Sequence, residues 1–193
     1  MTIKKERTRQ RILVKAYDLF AKKGFNAVRM KDVCEATELS RGGLYAHFSS
    51  VQEIFEAVIG NLCDQDEINF TKEIKKGTPA TKILDNMLNI IKEEMNHQED
   101  SLSLAMYEYA NTISKKFMND FTEDGEQMWI DLINYGISTG EFNEVNPIEI
   151  VTIILYVYQG VRMWSKVISI PPEKIELIVQ YIRKQLIRGE SNE

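Results

Sequence analysis

Two short apolar stripes of helical spacing, separated by a tight turn, constrain this chain more than any other feature. Met30, Val33, Cys34 and Thr37 recur at the spacing of one helix face, which predicts a helix over about 30–37. Leu44 and Phe48 stand four apart and face inward together from a second element, Arg41 to Phe48. Ser40 is a good N-cap for that element, since its hydroxyl can accept from an unpaired amide of the first turn. Glu38, Leu39 and Ser40 are left to make the turn, and the whole reads as a helix-turn-helix. Upstream, Ile12, Ala16, Leu19 and Phe20 mark an earlier helix that starts between Lys4 and Thr8, with Gly24 as its stop.

The last helix of such a motif must be slim enough to enter a major groove about 12 Å wide. Gly42 and Gly43 open it. Each costs an isolated helix about 1 kcal/mol, a local loss that close approach to another backbone explains. Arg41, at the N-terminal end, is placed to reach a base edge or a phosphate. Tyr45 and His47 can donate to phosphate oxygens.

The total charge argues the other way. Across 193 residues, 24 Lys and Arg face 29 Asp and Glu, a net of −5, where a nucleic-acid binder should show a basic footprint. The distribution reverses that argument. The first fifty residues hold eleven basic and five acidic side chains, a net of +6, which leaves −11 for the remainder. A basic head on an acidic body suggests two functions, with the head meeting a polyanion and the body repelling it.

The length allows one large domain or two small ones with a real core. Four prolines and ten glycines exclude a collagen-like or low-complexity chain. Cys34 and Cys63 have no ligand spacing, so two reduced thiols are expected rather than a zinc site or a disulfide framework. The polar N-terminus has no apolar run of a signal peptide. The most apolar stretch, Ile148 to Val161, is shorter than the ~20 residues of a spanning helix. A cytoplasmic protein without a membrane span is expected.

The stretch Arg11 to Phe55 closely resembles the DNA-binding domain of the tetracycline-repressor (TetR) family. The resemblance rests on Ile12, Ala16, Leu19, Phe20, Gly24-Phe25, Met30-Lys31-Asp32-Val33, Leu39-Ser40-Arg41-Gly42, Leu44-Tyr45, His47-Phe48 and Glu53-Ile54-Phe55. It implies an all-α, homodimeric transcription regulator of about nine helices, usually a repressor released by a small ligand. Residues 1–50 would then be a three-helix DNA-binding domain, and 51–193 a larger helical domain for ligand binding and dimerisation. Some positions depart from the family pattern. Val28 and Arg29 stand where Thr or Ser is frequent, Glu38 where the turn often has Gly, Gly43 where a hydroxyl often reads a base, and Val51 where Lys often meets phosphate. Base reading therefore shifts toward Arg41 and Ala46. Phosphate contacts fall to Arg29, Lys31, Tyr45 and His47, with Lys4, Lys5 and Arg7 as a compensating N-terminal arm.

Downstream, Ser50-Val51-Gln52-Glu53 reads as a capping box at the start of a helix running to about Lys75. Gly77-Thr78-Pro79 is a stop and restart, with Thr78 as N-cap and Pro79 at the first helical position. Three further helices lead to Gly140-Glu141-Phe142, and Asn146-Pro147 opens another that is apolar nearly all round. Such a helix can face the core with one side and a second subunit with the other. With the final helix, Glu173 to Arg188, it would build a four-helix interface from Ile154, Tyr158, Val161, Ile175, Ile178, Val179, Ile182 and Leu186.

Soft and aromatic residues mark an adaptable apolar pocket: Met87, Met106, Tyr107, Tyr109, Phe121, Met128, Trp129 and Tyr156. Glu108 and Arg162 sit among apolar residues, each able to pair with a charged effector or to serve in a salt bridge. Glu93, Glu94 and His97 have a spacing that a metal could use, but on a polar helix end they read as a solvated face, and no metal or cofactor is expected. No phosphate loop, nucleophile elbow or catalytic dyad is present, which argues against an enzyme. The expected partners are double-stranded operator DNA, a second copy of the chain and an unidentified small molecule. The alternative is a helical ligand-binding or adaptor protein that has lost specific DNA binding.

Overall fold

A computed structural model describes residues 3–64, 70–97 and 101–189. Its helices run α1 (Ile3–Lys23), α2 (Met30–Thr37), α3 (Arg41–Tyr45), α4 (Val51–Asp64), α5 (Phe70–Lys75), α6 (Ala80–Asn96), α7 (Ser103–Thr112), α8 (Lys115–Ser138), α9 (Pro147–Trp164) and α10 (Pro172–Leu186). Extended pairing among the described residues amounts to one antiparallel bridge, Phe142 to Ile187. The all-α class and the N-terminal helix-turn-helix match the expectation. The count is ten described helices rather than about nine, because the stretch Val51 to Lys75 is described in two pieces and its join falls outside the described residues. Lys4, Lys5 and Arg7 lie on α1 rather than on a separate arm, since nothing from Ile3 to Arg11 breaks a helix.

Packing divides the chain into two compact units: Met1–Asp66 with Glu99–Lys115, and Glu67–Gln98 with Lys116–Glu193. This is not the cut after Ser50, because α4 and α7 both pack on α1. The first unit buries Ile12, Ala16 and Phe20 of α1 against Val33, Leu44, Phe48, Ile54 and Phe55. Its centre is aromatic. The ring of Phe55 meets Phe20 edge-on at 4.9 Å and Phe25 at 5.2 Å, and Tyr109 of α7 closes the cluster at 4.9 Å from Phe55. The Tyr109 hydroxyl donates to the Glu56 carboxylate of α4. Burial, then the hydrogen bond to Glu56 and the charge of that carboxylate, raise the Tyr109 pKa, so the phenol stays neutral.

At the start of α4 the capping pattern spreads over two serines. Ser50 Oγ accepts the Glu53 N–H at 3.1 Å, while the Glu53 carboxylate returns to Ser49, accepting its N–H at 2.6 Å. That Ser49 N–H holds the Glu53 carboxyl below the ordinary range.

In the second unit α6 is the central helix, with α5, α9 and α10 packed on it. It buries Ile83, Leu84, Met87, Leu88, Ile91 and Met95 at helical spacing. Thr78 does not cap it, as the spacing of Thr78-Pro79 had suggested. Helix α6 starts one residue later, and the Thr78 hydroxyl donates to Glu73. The first amides of α6 instead find Glu141, whose carboxylate accepts from Ala80 N and Thr81 N at 3.0 Å each. Burial pushes the Glu141 pKa up, but these two amides and the hydroxyls of Thr81 and Thr139 outweigh it and hold the carboxyl below its usual value.

Helix α9 corrects the expected subunit face. Ile154 and Val161, with Ile175, Val179, Ile182 and Leu186 of α10, are buried in the core of their own unit, and Tyr158 and Ile178 are half-buried against it. The sequence pattern marked both sides of α9 as apolar, but could not tell which side α6 would cover. The outward stripe of α9 holds Ile153, Tyr156 and Trp164, with exposed Gly160 between them, and α10 exposes Leu177 and Tyr181.

Candidate nucleic-acid interface

The recognition element is built from its cap outward. Ser40 has extended backbone and its Oγ accepts the Gly43 N–H at 3.1 Å. The helix proper ends at Tyr45, shorter than the expected Arg41 to Phe48, although Ala46 N still bonds Gly42 O and Phe48 N bonds Leu44 O. Leu44 and Phe48 are buried, so the opposite side must face out. Arg41, Gly42, Tyr45 and Ala46 form that exposed face.

The two glycines differ in what they do. A Cβ on Gly42 would meet nothing within 4 Å, so this position keeps the outer face flat. A Cβ on Gly43 would stand 3.3 Å from Ser40 Oγ, so this glycine protects the cap. The absence of a hydroxyl at position 43 therefore has a local structural reason. Ser40, read as the cap, and Gly43, read as allowing close approach to another backbone, both serve first to shape the helix.

The turn before α3 holds backbone strain. Glu38 caps α2 in the left-handed region, φ 55°, the one non-glycine residue with positive φ among those described. Its Cβ makes that conformation costly by about 1 kcal/mol or more. Glu38→Gly is expected to stabilise the protein by about 1 kcal/mol, a rise of ~2–4 °C in Tm, with Glu38→Ala giving no such gain. Thermal melting of the two variants checks this.

Arg29 sits at the N-cap of α2. Its N–H donates to Asp32 Oδ2 at 2.7 Å, and its guanidinium Nη1 donates back to the Asn26 carbonyl at 2.6 Å. The Arg29 N–H first, with the Lys23 ammonium beside it, holds the Asp32 carboxyl below the ordinary range. Lys31 is exposed in the first turn of α2, and Lys4 and Lys5 in the first turns of α1. Arg9 lies with its guanidinium 5.0 Å from the Phe48 ring centre. His47 is half-buried, and its Nδ1 has no hydrogen-bond partner among the described residues.

The residues expected to line a pocket divide between the units. Tyr109 lines none in the body: it belongs to the aromatic centre of the first unit, and the periodic pattern that marked it reports burial without naming the partner. Met106 and exposed Tyr107 share its helix. In the second unit Met87 and Trp129 are core, Trp129 edge-on to Phe70 at 5.3 Å, while Phe121 and Met128 are half-buried and Tyr156 is exposed. A recess of about 60 Å³ there is lined by Phe70, Glu73, Thr78, Lys82, Ile83, Asn86 and Met87, too small for a ligand of ordinary size.

Arg162 is 7% exposed; its Nη1 donates to the Glu94 carbonyl at 2.6 Å and its guanidinium lies over the Tyr158 ring. The trio of Glu93, Glu94 and His97 does not converge. Glu94 accepts the Tyr158 hydroxyl at 2.6 Å, and His97 Nδ1 lies 2.8 Å from the Glu93 carbonyl.

No helix among the described residues is long and apolar enough to cross a membrane. A capped short helix displaying arginine and tyrosine, on a basic three-helix head, defines a DNA-binding module of the helix-turn-helix class. Residues 12–58 match the bacterial regulatory proteins of the tetR family. The HTH-type transcriptional regulator YfiR of Bacillus subtilis is 29% identical over 149 residues, covering 75% of this chain and 72% of that one. The HTH-type transcriptional repressor KstR2 of Mycolicibacterium smegmatis is 23% identical over 147 residues, covering 74% and 71%. A transcriptional regulator from Saccharomonospora viridis, solved in complex with choline, shares the fold with a TM-score of 0.73 at 16% identity, over 95% of this chain and 99% of that one. Residues 12–58 thus form a DNA-binding domain of the tetR type, and the chain is a DNA-binding transcriptional regulator.

Proposed function

We propose that the chain is a cytoplasmic, homodimeric repressor that binds a roughly palindromic operator and leaves it when a small, largely apolar ligand binds the helical body. The exposed face of Arg41, Gly42, Tyr45 and Ala46 carries the reading, because it is the one side of α3 that its own core does not use. Each α3 enters one major groove, with the two grooves about 34–36 Å apart. Arg41 reads a base, Ala46 packs against the groove floor, and Arg29, Lys31, Tyr45, His47, Lys4 and Lys5 hold phosphates.

The two-fold pairing that such an operator requires falls to the outward stripes of α9 and α10. Repression is favoured by the similarity to KstR2, a transcriptional repressor. A small-molecule effector is favoured by the S. viridis fold relative, which holds choline. The effector would shift the population away from the DNA-binding state with a coupling of about 1–3 kcal/mol.

Arg41→Ala tests the base-reading role. Its affinity for the operator should fall about 10- to 100-fold more than its affinity for random duplex, measured side by side in a gel shift. Equal losses on both would place Arg41 on phosphate instead.

A further inference from the structure

We propose that Glu108, on α7, is a positioning residue for DNA binding: through Asn26 it sets the Arg29 guanidinium for its phosphate. This rests on the phosphate contact assigned to Arg29 above.

The link is a continuous set of hydrogen bonds within the first unit. Glu108 Oε2 accepts the Asn26 N–H at 2.8 Å, across 82 residues of sequence. The Asn26 carbonyl accepts Arg29 Nη1 at 2.6 Å, and Arg29 N in turn bonds Asp32 of α2. Thr112 Oγ1, one turn along α7, lies 3.5 Å from Asn26 Oδ1. The approach of Glu108 is made possible by Gly24, with φ +75°, where a Cβ would stand 2.6 Å from the carboxylate. Beside it Tyr109 fixes α7, its ring packed on Phe25 and Phe55 and its hydroxyl on Glu56.

The turn between α1 and α2 is thus held by a carboxylate at each end. An exposed arginine that has one nitrogen already bonded to a fixed carbonyl loses less freedom when its other donors meet a phosphate. The hydrogen bond from the Asn26 N–H to the Glu108 side-chain oxygen is what keeps that carbonyl in place. In chain order α7 stands between α6 and α8 of the second unit, so Glu108 lies on the one stretch of the head unit that the body's own helices flank.

The sign of the effect separates this role from plain electrostatics. Glu108 is negative, so removing it should tighten DNA binding if charge alone mattered. Positioning predicts the reverse. The full-length protein would be titrated onto a duplex of its own upstream region and onto a random duplex, across a salt series, with melting curves to confirm folding.

Arg29→Met should weaken binding about 5- to 10-fold on both duplexes and flatten the salt slope by about one. Glu108→Ala should do the same, and the double variant should be no weaker than Arg29→Met alone. Glu108→Gln, which keeps an acceptor oxygen, should stay near wild type. Unchanged or tighter binding by Glu108→Ala, or losses that multiply in the double variant, would overturn the positioning role alone. An unchanged slope for Arg29→Met would overturn the phosphate assignment and this proposal with it.

Discussion

Replacing Tyr156 and Trp164 together by glutamate is expected to give folded monomers at micromolar concentration and to weaken operator binding about 10²- to 10⁴-fold. Both side chains are outward on α9, 72% and 56% exposed, on the stripe that also holds Ile153 and Gly160. Single exposed apolar residues are ordinary, but an apolar stripe on one helix matched by Leu177 and Tyr181 on the next is the surface to which the proposed two-fold contact is assigned. Four buried glutamates at a two-fold contact would be desolvated without partners, which the interface cannot tolerate. The loss on DNA follows because a second head held on the same body binds at high effective concentration, and a monomer forfeits that gain. Sedimentation velocity and fluorescence anisotropy check both parts, with circular dichroism unchanged. Ile154→Glu provides the contrast: that side chain is 1% exposed within its own unit, so the variant should unfold rather than dissociate. A Tyr156, Trp164 double variant that remains dimeric would move the interface elsewhere.

Gly136→Ala is expected to destabilise the protein by about 2 kcal/mol, or ~4–8 °C in Tm, although alanine is the better helix former. A Cβ at Gly136 would stand 2.2 Å from Phe142 Cδ2. Phe142 cannot readily move. It is buried, its N–H bonds the Gly136 carbonyl at 3.0 Å, and Asn143 N bonds Leu186 O at 2.8 Å just beyond it. The same junction carries Glu141, which supplies the cap of α6, so a displaced Phe142 disturbs α6, α8 and α10 together. Gly125→Ala, on the same helix with nothing within 4 Å of its Cβ, should gain up to ~1 kcal/mol. Opposite signs for one substitution at two sites on α8 would be read directly from melting curves at equal protein concentration. In a Phe142→Ala background the cost at Gly136 should largely vanish.

The helix-turn-helix was legible because its determinants are local. Ser40 lies three residues from the Gly43 amide that it caps, and the Leu44 and Phe48 spacing states which side of α3 is inward. The face left over, with Arg41 and Tyr45, follows by subtraction. The charge contrast between head and body was equally plain, since it needs only counting. The helical class of the body was readable for the same reason: each helix carries its own apolar period.

What failed to be readable depends on partners distant in sequence. The cap of α6 comes from Glu141, about sixty residues away, and no spacing around Thr78 could reveal it. Tyr109 has the pattern of a buried aromatic, and the structure alone shows that its neighbours are Phe25 and Phe55. The Glu108 bond to the Asn26 amide joins a side chain to a backbone group, which no residue type announces.

The amino-acid sequence by itself determined that this chain is helical, that its basic head forms a short capped recognition helix, and that Arg41 and Tyr45 stand on it. Only the tertiary structure decided which apolar side of α9 is core and which is surface. The reason is physical: periodicity records how a helix divides polar from apolar. A helix with two apolar sides has no such division, so the packing of the body's core onto Ile154 and Val161 makes the choice and leaves Tyr156 and Trp164 outside.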